Sequence, residues 1–147
     1  MRRWMILPMI IIVVLLGSGG AQASRKTVNT QLAQELVDHQ AYADNDPANY
    51  GYAKYIRRIS DKGNGRITVQ VTRNFCRLSS NDKTNVMNQV QVLARMVLIE
   101  NHRISKRQAA RGLDATIRYQ KQVVGQSRPD DHYHYRWWTF VFLRPVS

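Results

Sequence analysis

Two histidines two positions apart, His132 and His134, are the residues whose spacing most directly suggests chemistry. On a strand, side chains at i and i+2 share a face, so both imidazoles could reach one metal ion. A zinc site needs at least a third protein ligand, and no H-E-x-x-H or comparable pattern designates one. The pair is therefore kept only as a candidate, and no metal or other cofactor is expected. Asp130 and Asp131 sit just before it, beside Pro129. Adjacent carboxylates in such a loop read as turn chemistry ahead of a general acid/base pair. Cys76 is the single cysteine, so intramolecular disulfides and cysteine-based zinc sites are excluded. Beside Phe75, at the expected end of a strand, it reads as a buried structural thiol. No G-x-S-x-G elbow and no glycine-rich phosphate loop is present. No catalytic residue is assigned, and the chain is read as leaning away from an enzyme.

Basic and aromatic residues offer more. Arg103, Arg107 and Arg111 recur every four residues, which shares one helical face, and with Lys106 they form an expected anion-binding patch. Tyr133, Tyr135 and Trp137 alternate along the C-terminal strand and form an expected aromatic surface for stacking on sugars or bases. His132, His134, Arg136 and Trp138 fall on the opposite face, and one face must be core. Tyr50, Tyr52 and Tyr55 make a second aromatic cluster near Arg57 and Arg58.

Across 147 residues the chain carries 22 Lys and Arg against 10 Asp and Glu, a formal charge of +12. Such a field attracts anionic polymers or membrane surfaces. The compartment is suggested by the N-terminus. Arg2 and Arg3 precede an apolar run from Trp4 to Leu16, and Ala21-Gln22-Ala23 precedes Ser24. A basic start, a short apolar segment and an A-x-A site describe a secretory signal peptide, with Ala21, Ala23 and Ser24 marking the peptidase site. The run has 13 residues, and at about 1.5 Å per residue it covers roughly 20 Å of a bilayer core about 30 Å thick. Cleavage is expected after Ala23, with an uncleaved N-terminal anchor as the alternative. Residues 24–27 then read as a short basic tail and 28–147 as one domain. The leader holds two of the 22 basic residues and no acidic ones, leaving 20 against 10 in the exported chain.

The elements that must position these side chains follow from periodicity. Val28, Leu32 and Leu36 define a first amphipathic helix with Thr27 as cap, fading after Ala43. The segment 47–60 reads either as a helix capped by Asp46 or as a strand, and a hairpin of about 54–60 with 66–73 satisfies both halves. Asp61-Lys62-Gly63-Asn64-Gly65 supplies its reversal. Leu78 to Asp82 opens a long helix whose stripe is Val86, Val90, Leu93 and Val97. Val92, Met96 and Ile99 extend it almost all round, which predicts a helix covered on every side. Ser105 to Ala110 reads as a short helix closed by Gly112. Strands are expected near 113–119, 122–127 and, longest, 133–143. The fold class is α+β: helices packed on one face of a four- or five-stranded, mainly antiparallel sheet.

Asn74-Phe75, Leu78-Ser79, Lys83, the long helix, Gly112-Leu113 and the strands ending at Trp137-Trp138 form a recognisable layout. It resembles small exported proteins of lactic-acid bacteria over roughly residues 55–138. The resemblance implies an exported α+β domain and carries no catalytic residue across. The leading functional expectation is a secreted or envelope-associated basic module that binds anionic cell-wall polymers or a membrane surface. The alternatives are a protein- or glycan-binding, inhibitory domain using the Tyr/Trp strand, and a small hydrolase or metalloenzyme. Nucleic acid is not expected as a physiological partner, because export separates the two.

Overall fold

The computed structural model describes residues 23–138. The apolar run Trp4 to Leu16, Ala21 and the stretch 139–143 of the expected last strand lie outside the described residues. Among the described residues no helix is long and apolar enough to cross a membrane.

Helix α1 (Arg25–Tyr42) is capped by Ser24, whose Oγ accepts the Thr27 N–H at 3.2 Å. The expected tail 24–27 is therefore a cap and first turn, and Ser24 replaces Thr27 as the capping residue. In the full-length chain Ala23 also donates its N–H to the Asn101 carbonyl at 3.1 Å. Val28, Leu32 and Leu36 face the core as their spacing requires.

Both readings of 47–60 are realised in succession. Asp46 caps a single turn, α2 (Pro47–Tyr50), a 3₁₀ turn covers Gly51–Tyr55, and β1 (Ile56–Gly63) follows. Strand β1 runs through Asp61 and Lys62, so the reversal is confined to Asn64 and Gly65. Both have positive φ, 55° and 72°, which Asn and Gly tolerate best. Strand β2 (Arg66–Val71) ends before the expected Arg73. Thr72 caps a short helix there, α3 (Arg73–Cys76), accepting the Phe75 N–H on its Oγ1. Cys76 thus ends a helical turn and is half-buried, which corrects its placement at the end of a strand.

Helix α4 (Ser80–Glu100) is capped by Ser79. Its buried stripe includes Val86, Val90, Leu93 and Val97, but Val92 is 59% and Met96 44% exposed. The expectation of a helix covered all round is overturned: α4 packs against the sheet and α1, and its outer side meets solvent. Helix α5 (Lys106–Ala110) begins with a Ser105–Gln108 capping box, and Gly112 follows at φ 80°.

Strands β3 (Asp114–Tyr119), β4 (Gln122–Ser127) and β5 (Tyr135–Trp137) complete one sheet of order β1-β2-β3-β4-β5. Neighbours are antiparallel except β2 and β3. That parallel pair is where α4 and α5 cross over, as parallel strands demand. The protein is α+β, with its helices on one face of the sheet. Ile59, Ile67, Val69, Ala115 and Ile117 point into the layer beneath α1 and α4. Gly125 is required in β4, since a Cβ there would collide with the Trp137 ring.

Candidate anion-binding face

The sheet has helices on one side only, so the alternate residues of every strand meet water. Register decides which side chains become neighbours. Arg58 pairs with Gln70, and Gln70 with Arg118. In the next row Ser60 pairs with Thr68, Thr68 with Thr116, Thr116 with Gln126, and Gln126 with Arg136. A third row sets Arg66 beside Asp114, with Lys62 at its border. Neighbouring strands lie about 4.8 Å apart, so Arg58 on β1, Arg118 on β3 and Arg136 on β5 recur at roughly 10 Å intervals across the sheet. Short hydroxyl and amide side chains fill the space between them.

None of Arg58, Lys62, Arg66, Arg118 and Arg136 is ion-paired among the described residues. Arg118 donates to the Lys121 carbonyl at 2.8 Å and Arg66 to the Gly63 carbonyl at 3.4 Å, contacts that orient the guanidiniums without neutralising them. Carboxylates are elsewhere. Glu35, Asp38, Asp82 and Glu100 lie on α1 and α4, and Asp44 and Asp46 lie between α1 and α2. Asp61 points into the core, and Asp130 and Asp131 sit before β5. Asp114 is the one acid of ten on the open face, and its Oδ1 accepts the Ser127 hydroxyl at 3.0 Å.

The expected patch on α5 is divided. Arg103 turns inward, where its Nε meets Asp61 Oδ2 at 2.7 Å, with exposures of 12% and 1%. Its guanidinium also reaches the Ala23 carbonyl at 3.4 Å. A buried carboxylate requires a partner, so Arg103 is committed to the fold and unavailable to a ligand. Lys106, Arg107 and Arg111 remain exposed at the end of the helical layer.

The expected aromatic surface is the packed side of β5. Tyr135 and Trp137 stack with centroids 5.3 Å apart, and Phe75 meets Trp137 edge-on at 5.7 Å. Trp137 Nε1 donates to Thr84 Oγ1 and Tyr135 Oη accepts from Gln91 Nε2, both across to α4. Burial pushes the Tyr135 phenol up to about 12. Tyr133 precedes the strand, under Arg95, and donates its hydroxyl to the Ala109 carbonyl. These rings are half-buried because the edge of the core needs covering, and the ring turned outward is Trp138, next to Arg136. Of the second cluster, Tyr50 and Tyr52 pack on His39 of α1.

His132 and His134 lie in a turn, outside the strand that would have aligned them. His132 Nδ1 is 3.0 Å from the Gly112 carbonyl, and His134 Nδ1 is 2.7 Å from Asp131 Oδ2. Asp131 also accepts the Tyr133 N–H, and these bonds hold its carboxyl below the usual range. Its role is turn chemistry, as its position beside Pro129 suggested. Among the described residues no group of three or more His, Cys, Asp or Glu could hold a metal ion. Burial pushes the Cys76 thiol up, opposed in part by Lys83, which disfavours the reactive thiolate.

The cations of the open face escaped sequence reasoning as a group. Alternation in 66–71 and 114–119 already turns Arg66 and Arg118 outward, but which strands are neighbours is not written in either segment. No family model, curated protein or solved structure matches this chain.

Proposed function

We propose that this chain is an exported, non-enzymatic module that associates with anionic polymers of the cell envelope through the open face of its sheet. The observation that carries the reading is charge segregation: five cations free of ion pairs and one carboxylate on a single surface. A flat array of this kind suits an extended polyanion, which needs repeated weak contacts over distance and no enclosing pocket. Arginine adds forked donors that match phosphate and carboxylate oxygens. The leader read at residues 1–23 supports export, and the charge supports retention at an anionic surface.

Co-sedimentation with purified cell walls tests it. The protein is expected to pellet with walls at low ionic strength and to be released near about 0.5 M salt, where the screening length falls to a few ångströms. Retention that ignores salt overturns the reading.

A further inference from the structure

We infer that the cleft between the 47–55 segment and the first half of α4 is a carbohydrate subsite for one or two uncharged sugar rings. The cleft is open to solvent and offers about 600 Å³, within the range of about 300–1,000 Å³ common for small-molecule sites. One wall is a stripe of α4: Asp82, Asn85 and Gln89 follow at i, i+3 and i+7 and so share a face. Tyr55 lies on the opposite wall, and the floor is apolar, with Val86 and Leu78. The Asp44–Lys54 ion pair also lines the cleft.

Side-chain chemistry selects the ligand. The carboxamides of Asn85, exposed, and Gln89, half-buried, line the cleft and make no hydrogen bond within the described fold, so both are open to a ligand in place of water. Each offers a donor and an acceptor, the pair that a sugar hydroxyl presents in return. An apolar floor and a phenol ring match the C–H face of a pyranose, which a purely polar ion does not have. Charge argues against an anion: Asp44 and Asp82 outnumber Lys54, so the cleft is locally acidic on a basic molecule. Lys54 already neutralises Asp44, and Asp82 in the first turn of α4 is stabilised by the helix dipole, so no cation is needed. The cleft is formed by helices and the open face by strands, so this inference stands apart from the polyanion reading.

Titration of the ¹⁵N-labelled protein with cellobiose and with N,N′-diacetylchitobiose decides it. The side-chain amide signals of Asn85 and Gln89 should shift with one or both sugars, with Kd in the range of about 1–10 mM for so small a ligand. The Asn85→Ala/Gln89→Ala variant should weaken binding at least about tenfold, the loss of roughly 1.4 kcal/mol. Sedimentation with cell walls should not change in that variant, which separates the two readings. No shift with either sugar at about 50 mM, or backbone-amide shifts that fit an unchanged Kd in the double variant, would overturn the assignment. Shifts confined to the outward residues of the sheet would do the same.

Discussion

Gln91 lies in the middle of α4 with no exposure to solvent, and its carboxamide takes the place of a strand neighbour. Its Oε1 accepts the Leu113 N–H and its Nε2 donates to the Leu113 carbonyl, both at 2.8 Å. Gln91→Ala strands both backbone groups in the core and should cost about 2–4 kcal/mol in urea unfolding. Nε2 also reaches the hydroxyl of Tyr135, a phenol raised by burial from 10.0 to about 12. Because the folded value lies above the unfolded one, its contribution to stability is complete below pH 10 and lost as pH rises toward about 12. Tyr52 is pushed up as well, with burial the leading cause. Unfolding free energy measured against pH should therefore fall above pH about 10, less steeply in Tyr135→Phe. A parallel loss in that variant would refute the role given to Tyr135. Neither role was legible beforehand, because a glutamine inside a helix and a tyrosine in a strand have many partners open to them.

At the level of elements, one ion pair joins three parts of the chain. Asp61 on β1 receives Arg103 from beyond α4, its N–H donates to Asn29 Oδ1 on α1, and its Oδ1 accepts the Gly63 N–H. Removing one partner leaves a buried charge. Asp61→Ala should lose about 3–5 kcal/mol, while replacing both residues by apolar ones of similar volume should recover much of that loss. Thermal denaturation of the single and double variants measures the difference, and an additive double variant would contradict it. Much at this scale could be read from periodicity: α1, α4, the hairpin and β3 each bury the stripe that their spacing marks. The failures were local and have a common cause. Sequence alone does not mark Thr72 and Ser24 as caps, because capping depends on where the backbone turns, and that follows from packing. The alternation predicts a strand from Tyr133, but Asp131 accepts the Tyr133 N–H and closes a turn through His134 first.

Over the whole molecule, the side of the sheet that the helices leave bare is one place where positive charge goes unbalanced, with five cations against one carboxylate. Reversing Arg58, Arg118 and Arg136 to Glu removes the three cations spaced across alternate strands. Wall binding at low salt should drop at least about tenfold and its salt dependence should flatten, whereas the same reversal to Glu at Lys106, Arg107 and Arg111, equal in net charge, should change it less. Equal loss in the two variants would assign the binding to net charge alone. The open face was illegible in the sequence because Arg58 and Arg136 stand 78 positions apart and become comparable only through pairing register.

Composition and periodicity alone determine that this chain is basic, free of intramolecular disulfides and α+β, since charge, cysteine number and the alternation of apolar residues are local properties. The tertiary structure alone decides that Arg103 serves the core, that the tyrosines and Trp137 cover α4, and that five distant cations share one surface. Strand order and register, set by the burial of the whole sheet, govern those neighbours, and no single segment encodes them.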